Sequence, residues 1–316
     1  MFNRVLFNLI QVLVVMGFSP LVSGVLSRLK EMIQSKHGPS IFQPYRDIWK
    51  YFHKDEIVSE ESSWIFRFTP YIVFVTPIFV TLLIPVLTSY PLFFAFMGDM
   101  LGGGFVLSLG GFFATLAAVD SANPYGPMGA SRTRMVGFLA EPVFMIVFFT
   151  VSFVAGSTIP YIVQQVWVHP LGNFFEPSHV LLVVAFLMLI LAEGGRIPVD
   201  NPTGHFELAM IDESKSLEYS GRGMALMKWG GQMKVFVLMC IFLNVLVAPW
   251  GLAAQQTLAA VLVAIPLVLL KIFCLILVLV LIESSLSKLR LFRIAEFMGS
   301  AFITSVAAML LRLFAS

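Results

Sequence analysis

Apolar residues run in eight stretches along this chain, each long enough, or nearly long enough, to cross a bilayer. The stretches lie at about 5–27, 68–90, 101–119, 135–158, 178–194, 233–250, 257–282 and 295–314, and the fifth is short. A transmembrane helix needs about 20 predominantly apolar residues. The pattern therefore predicts an all-α polytopic membrane protein, with eight transmembrane helices in one integral membrane domain that covers residues 1–316.

The composition agrees with this class of protein. The chain is 58% hydrophobic and 12% charged, with a mean hydropathy of +0.90, whereas about 25% of residues are charged in a typical soluble domain. A soluble fold of 316 residues could not bury so much apolar surface. The net charge of +2 gives no reason to expect a nucleic-acid partner.

Basic residues are unevenly distributed between the two sides of the predicted bundle. Four segments on one side, 28–67, 120–134, 195–232 and 283–294, together with Lys234 at a helix edge, hold 17 of the 20 lysines and arginines. Short loops rich in lysine and arginine stay in the cytoplasm. Both termini are therefore predicted outside the cytoplasm, and the two long loops, 28–67 and 195–232, inside it.

The first long loop contains an amphipathic stretch, "IFQPYRDIWKYF". Its apolar side chains fall on one helical face: Ile41, Phe42, Tyr45, Ile48, Trp49 and Phe52. Such a helix either lies on the membrane surface or docks a soluble partner, and the two interpretations are compatible. The candidate docking residues are Arg46, Asp47, Trp49, Lys50 and, in the other long loop, Arg196.

The second long loop gathers acids within the stretch "LAEGGRIPVDNPTGHFELAMIDESKSLEYSG", residues 191–221. Its titratable candidates are Asp200, His205, Glu207, Asp212, Glu213 and Glu218. They alternate with apolar residues, which predicts a loop folded back into a cavity, where broken backbone is tolerated at membrane depth. An ordinary solvated face is the alternative, and His205 has the further alternative of a simple hydrogen-bonded loop residue.

Charged residues within or at the ends of the apolar stretches complete a predicted ion path. They are Asp120, Glu141, Glu193, Lys271 and Glu283. Ionisable groups in a membrane are costly, and they usually pair or line an ion pathway. Burial raises the pKa of a carboxyl group toward neutrality, which suits proton exchange. For Asp120 and Glu283, at helix ends, anchoring at the interface is equally plausible.

No metal or catalytic site is expected in this chain. Cys240 and Cys274 form no CxxC motif, both lie in apolar stretches, and the five histidines are scattered.

Five linked motifs resemble the complex I subunit 1 family. They are "HGPSIFQPYRDIWK", "GASRTRMVGFLAEP", "AEGGRIPVDNP", "FELAMIDESKSLEYSG" and "IESSLSKLRLFR", which occur in this order along nearly the whole chain. That family contains the quinone-site subunit of respiratory NADH dehydrogenases and the matching membrane subunit of energy-converting [NiFe]-hydrogenases. The resemblance implies a multi-pass subunit of the prokaryotic cytoplasmic (inner) membrane.

Details of the motifs favour the hydrogenase branch. The compact spacing from Gly38-Pro39 to Gln43-Pro44, and Glu283 where quinone enzymes tend to have arginine, resemble the hydrogenase-4 component C and formate hydrogenlyase subunit 4 type. Thr203 and His205 stand where the quinone branch typically has glutamates. Some formate hydrogenlyase members keep those glutamates, and "DNPTGHFELAM" looks closer to archaeal and carbon-monoxide-linked members.

The resemblance implies a subunit that is not catalytic alone. It would anchor a soluble arm of hydrogenase and iron–sulfur proteins, which hold the iron–sulfur clusters and the [NiFe] centre, while this chain holds no cofactor. Electron transfer there would drive H⁺ or Na⁺ movement, with antiporter-like membrane subunits as further partners. The alternatives are a quinone-binding subunit of a complex I-like NAD(P)H:quinone oxidoreductase and a stand-alone ion transporter, although no internal repeat of the transporter kind is evident.

Overall fold

The computed structural model describes residues 2–91, 94, 98–121, 123–168, 176–200 and 211–315. Over these residues it has seven helices long and apolar enough to cross a membrane, and an eighth apolar helix that is shorter. The seven long helices are α1 (Phe2–Ile33), α3 (Trp64–Leu83), α4 (Met100–Asp120), α5 (Tyr125–Ala155), α8 (Gly221–Ile241, continued as a π-helix over Phe242–Val247), α9 (Leu258–Ser285) and α10 (Leu291–Ala315), and the shorter apolar helix is α7 (Pro177–Glu193). The all-helical membrane class predicted from the hydropathy pattern is confirmed.

Two further helices and one short turn do not cross the bundle. They are α2 (Gln43–Phe52), α6 (Pro160–Val168) and a 3₁₀ turn at Glu213–Ser216. The described residues carry no β-strand, and a single bridge joins Thr88 to Ala253.

Helix α3 packs closely against α4 and α8, and glycine residues permit this close approach. A Cβ built on Gly110 of α4 would lie 2.7 Å from Thr76 Oγ1 of α3. One built on Gly230 of α8 would lie 2.6 Å from the Val73 carbonyl oxygen. Small residues at such crossings allow two backbones to come into contact in a membrane protein.

Two helices begin earlier than the apolar pattern predicts. Helix α5 starts at Tyr125 rather than near residue 135, and α8 starts at Gly221 rather than near residue 233. Their first turns are polar, but they pack against neighbouring chain: Thr133 Oγ1 of α5 donates to the Ile211 carbonyl at 2.9 Å. An apolar pattern marks the residues that contact lipid, whether or not the helix extends beyond them. The predicted loops 120–134 and 195–232 therefore included polar helical turns, and the actual loops are shorter.

The predicted span 68–90 is wrong at its second end, because α3 stops at Leu83. The chain from Ile84 to Tyr90 is buried without being helical. Pro85 lacks a backbone N–H and disfavours a helical residue before it. Side-chain amides replace the missing helix bonds: Gln11 Nε2 donates to the Ile84 carbonyl at 3.1 Å, and Asn244 Nδ2 donates to the Pro85 and Val86 carbonyls at 2.9 and 3.0 Å. Such backbone at membrane depth requires partners inside the protein.

The four basic segments meet at one end of the bundle. The Ile57 amide donates to Ser220 Oγ at 2.8 Å, and the Ser63 amide donates to Asp120 Oδ2 at 2.8 Å. Lys30, in the last turn of α1, pairs with Glu283 at 3.1 Å. We call this end the loop end, and its assignment to the cytoplasm remains a prediction from the basic residues.

Candidate functional site

A chamber of about 590 Å³ opens at the loop end and runs into the bundle between α1, α3, α4 and α8. Leu107 and Met239 lie in its lining. At a rise of 1.5 Å per residue, Leu107 is about 20 Å along α4 from Asp120, so the chamber reaches membrane depth. The acids in its lining are Glu31, Asp47, Glu193, Asp200, Asp212 and Glu213.

Two acids of the lining pair with lysines: Glu193, which is largely buried, and Asp212, whose side chain is 52% exposed. Lys234 of α8 donates to Glu193 at the end of α7, and Lys215 donates to Asp212. Burial acts to raise the pKa of Asp212, but the nearby Lys215 and Lys234 outweigh it, so its pKa is lower than usual. The expectation that burial moves these carboxyls toward neutrality is therefore wrong for Asp212, because the chamber supplies cations as well as a low dielectric.

Asp200 is almost fully buried and holds the acidic loop in place. Its Oδ2 accepts from the amides of Ile211 and Asp212 at 3.2 and 3.0 Å, and its Oδ1 accepts from Lys288 Nζ at 2.9 Å. These bonds tie residue 200 to the far end of the loop and to the connection between α9 and α10. Asp200 thus fixes the backbone that carries Asp212 into the chamber.

Glu283 forms the most deeply buried charge cluster in the described chain. Its side chain is 0% exposed; Lys30 Nζ lies 3.1 Å and Arg196 Nε 3.8 Å from its carboxylate oxygens. Neither oxygen has a well-aligned hydrogen bond among the described residues. Since Lys30 and Arg196 also line the chamber, the cluster lies directly behind the chamber wall.

Arg196, which the sequence assigns to partner docking, lies in this buried cluster, and its docking role stays a prediction. Its side chain is only 13% exposed. Burial lowers the pKa of the guanidinium, and Glu283 partly restores it. Arg196, the basic residue of the "GGRIP" motif, approaches Glu283 because the chain turns inward directly after α7.

Two of the predicted acids lie at the rim and stabilise helix ends. Asp120 Oδ2 accepts from Ser63 N and Ser63 Oγ at 2.8 and 2.7 Å, which joins the end of α4 to the start of α3. Glu218 Oε1 accepts from Asn123 Nδ2 at 2.6 Å. Glu213 is exposed.

Glu141 lies apart from the chamber, in the groove between α4 and α5. Arg134 of the same helix approaches its Oε1 at 3.2 Å, and the two side chains are 43% and 31% exposed, respectively. The Arg134 guanidinium also lies over the Phe112 ring, 5.4 Å from its centre. The helix begins at Tyr125, which places Glu141 in its middle rather than near its start.

Lys271 faces backbone oxygens instead of the chamber acids. Its Nζ donates to the Ala248 carbonyl at 2.8 Å, to Asn244 Oδ1 at 3.3 Å, and to the Trp250 carbonyl. Asn244 lies within the π-helix of α8, and Ala248 and Trp250 follow it directly. A cation near a helix C-terminus is favourable, and Lys271 takes such a place, so its role in the ion path stays a prediction.

The predicted apolar face of α2 is partly buried against the bundle and partly exposed. Ile48 is buried, and Phe52 packs against Trp229 of α8 with ring centres 6.4 Å apart. Trp49 is 68% exposed, and the basic residues Arg46 and Lys50 are exposed beside it. Asp47, grouped with the docking residues in the sequence, lines the chamber and accepts from Gln43 Nε2 at 2.8 Å.

His205 and Glu207 lie outside the described residues. Across the part of the chain that is described, no group of three or more histidine, cysteine, aspartate or glutamate side chains could hold a metal ion.

The cations of the site were missed at the sequence level. Lys30, Lys215, Lys234, Lys288 and Arg134 counted only toward orientation, because charge pairing between distant segments leaves no local pattern. A usable signal was present for Lys234, which follows the polar first half of α8 and lies where the apolar stretch begins.

Comparisons with known proteins agree with the motifs. Residues 6–314 match the family model described as NADH dehydrogenase. Formate hydrogenlyase subunit 4 of Escherichia coli (strain K12) is 33% identical over 289 residues, which are 91% of this chain and 92% of that protein. Hydrogenase-4 component C of the same organism is 31% identical over 289 residues, which are 90% of this chain and 88% of that protein.

A solved structure shares the fold. A chain of the membrane-bound sulfane sulfur reductase, an archaeal respiratory membrane complex, superposes with a TM-score of 0.84 over 97% of this chain and 98% of that one, at 19% identity. With the family match across nearly the whole sequence, these findings establish that the chain belongs to the NADH dehydrogenase family, in the complex I subunit 1 type that its motifs predict.

Proposed function

We propose that this chain is the membrane-anchor and coupling subunit of an energy-converting [NiFe]-hydrogenase complex of the prokaryotic cytoplasmic membrane. It links electron transfer in a soluble iron–sulfur and [NiFe] arm to translocation of H⁺ or Na⁺. The names of its two Escherichia coli relatives support the hydrogenase assignment. The redox cofactors belong to the partner subunits, and antiporter-like membrane subunits complete the assembly.

The chamber is the observation that carries the proposal. It opens at the end where α2 presents exposed Trp49, Arg46 and Lys50, and it extends to membrane depth. Ionisable groups inside a membrane protein mark ion pathways. Here they occur as acid–lysine pairs, so a change of charge at the mouth can shift which partner each lysine holds.

The pairs suggest how a charge change would pass inward. Lys234 holds Glu193 and also lies close enough to Asp212 to lower its pKa. A cation drawn toward one acid leaves the other free to bind a proton or a metal cation. Beyond them, Glu283 sits between Lys30 and Arg196, both of which line the chamber. We assign the part of the coupling path within the chamber to these residues, and a further part of it to Glu141, which lies outside the chamber in the middle of α5.

Quinone binding is the second candidate. The family description and a chamber of about 590 Å³ favour it, since small-molecule sites occupy about 300–1,000 Å³. Small-molecule sites place only a few polar groups among apolar walls, whereas six acids, four lysines and an arginine stand among the apolar residues that line this chamber. The charged lining favours ions over a quinone.

Purification of the tagged chain from its native membrane tests the assembly. A coupling subunit brings soluble iron–sulfur and [NiFe] proteins with it, whereas a stand-alone transporter purifies alone. Reconstituted complex then tests the path: Glu193→Gln should keep electron transfer to an artificial acceptor and lose most ion flux. Glu218→Gln, at the rim, is the matched control and should keep both. Full flux from the Glu193 variant would remove this residue from the path.

A further inference from the structure

Lys271 is a lysine inside the bundle that is held without an acid. It lies about 20 Å from either end of α9 at 1.5 Å per residue, which places it within the membrane span. Other lysines of the bundle pair with carboxylates, as Lys30 does with Glu283 and Lys234 with Glu193. No aspartate or glutamate among the described residues forms an ion pair with Lys271. Neutral groups must therefore hold its charge.

Those neutral groups are three oxygens at the end of α8. Lys271 Nζ donates to the Ala248 carbonyl at 2.8 Å, to Asn244 Oδ1 at 3.3 Å, and to the Trp250 carbonyl. A protonated lysine has three N–H donors and no acceptor, so each donor finds an oxygen. Unwound backbone carbonyls after a helix coordinate monovalent cations in transporters. We call these three oxygens the cation cage.

The backbone is shaped around this side chain. Helix α8 ends as a π-helix at Val247, and π-helices are rare and frequently occur at functional sites. Shortly after it, Gly251 has a φ of +81°, which favours glycine. A Cβ built on Gly251 would lie 3.5 Å from Lys271 Cε. The chain thus passes directly over the lysine and brings its carbonyls to the ammonium.

Asn244 connects the cage to the non-helical segment Ile84–Tyr90. Its Nδ2 donates to the Pro85 and Val86 carbonyls at 2.9 and 3.0 Å, while its Oδ1 accepts from Lys271. Backbone carbonyls can only accept and an ammonium can only donate, so a single orientation of the amide satisfies both sides. Lys271 thereby fixes the amide that holds the segment in place.

We propose that the cation cage is a monovalent-cation site, that the Lys271 ammonium is its permanent occupant, and that this occupant joins α9 to the segment Ile84–Tyr90. Without the lysine side chain, the cage binds a small primary ammonium ion, which offers the same N–H donors. Such an ion can reach it, since Trp250 is 54% exposed and Lys271 is only partly buried. Lys271 is absent from the chamber lining, so this site is separate from the proposed coupling path.

Chemical rescue of Lys271→Ala in the whole purified complex tests the cage. We expect the melting temperature to fall by several degrees, because the buried acceptors lose their donor. Propylammonium chloride replaces the deleted atoms from Cγ to Nζ, and it should restore at least half of this loss with a saturable dose dependence. Tetramethylammonium chloride carries the same charge without N–H donors and should restore none. Lys36→Ala, at an exposed lysine, is the control and should melt like the wild type in both salts.

Two further variants complete the test. Lys271→Met fills the cage with an apolar chain of similar length, so it should lose stability without rescue by propylammonium. Lys271→Arg keeps a cation with N–H donors and should melt closer to the wild type than Lys271→Met. Where Lys271→Ala does not assemble, this order of the arginine and methionine variants decides, and equal behaviour of the two overturns the inference.

Other results would also overturn it. They are a Lys271→Ala protein that melts like the wild type, and one that the two salts stabilise equally. A Lys271→Met complex with the wild-type melting temperature but without ion flux would make Lys271 a residue of the ion path instead of the occupant of a cation site.

Discussion

Replacing Glu283 by glutamine tests the buried cluster most directly. The carboxylate is 0% exposed and lies 3.1 Å from Lys30 and 3.8 Å from Arg196. With all three groups ionised, the cluster holds two cations and one anion. Glutamine keeps the shape but removes the anion, which leaves two buried positive charges facing each other.

The expected loss of stability follows from this count of charges. Removing one partner of a buried ion pair destabilises a protein by about 3–5 kcal/mol, because the remaining charge is unpaired. Glu283→Gln should reach this range. Lys30→Met should cost less, since Arg196 and Glu283 remain as a neutral pair. The test is therefore which of the two variants is less stable, rather than the size of either loss.

The measurement is the thermal unfolding of the purified complex in detergent. It is monitored as the fraction of protein that stays monodisperse at each temperature. Glu61→Gln, at an exposed acid, is the control and should melt like the wild type. A Glu283→Gln protein as stable as the wild type would mean that Glu283 is already neutral. A Lys30→Met protein less stable than Glu283→Gln would show that the charge count is wrong.

Four further outcomes are expected. Glu141→Gln should assemble and reduce an artificial acceptor normally but lose most ion flux in proteoliposomes; wild-type flux would make it a spectator. Arg46→Glu with Lys50→Glu should weaken attachment of the soluble arm at high salt while the helices still insert, and a full complement of iron–sulfur subunits would contradict docking there. Solvent extraction of the purified complex should yield no stoichiometric quinone, and a quinone that resists detergent washing would favour the complex I alternative. Asp212→Asn should lower the melting temperature at neutral pH, because a lowered pKa means that the ionised form stabilises the fold; this difference should shrink as the pH falls below about 3.9, the ordinary pKa of an aspartate, and disappear only below the lowered pKa of the folded state.

The helices that contact lipid could be predicted because lipid demands an apolar surface. The long run from Leu258 to Ser285 is an example. The same criterion failed at Ile84–Tyr90, since a buried extended segment is as apolar as a helix and only Pro85 marks the change. It also failed at the start of α8, where polar first turns pack against protein rather than lipid.

The acids of the site could be picked out in the sequence because charges are rare in such a chain. The cations that pair with them could not. Glu193 and Asp212 were chosen as proton carriers without Lys234, whose contacts exist only after α7 and α8 pack together. The burial of Arg196 was not predicted, because an arginine after two glycines gives no sign of it. Pairing across the fold is a tertiary property that local patterns do not contain.

The buried, non-helical segment Ile84–Tyr90 after α3 has a consequence for the biogenesis of the protein. Its carbonyls at Pro85 and Val86 bond to Asn244, and Leu87 accepts from the Ala253 amide at 2.9 Å. These partners are synthesised more than 150 residues later, so the early helices enter the bilayer with these three carbonyls unsatisfied. The nascent chain must therefore keep the segment near water or the insertion machinery until α8 arrives. A chain truncated before α8 should accordingly be a substrate for membrane quality control.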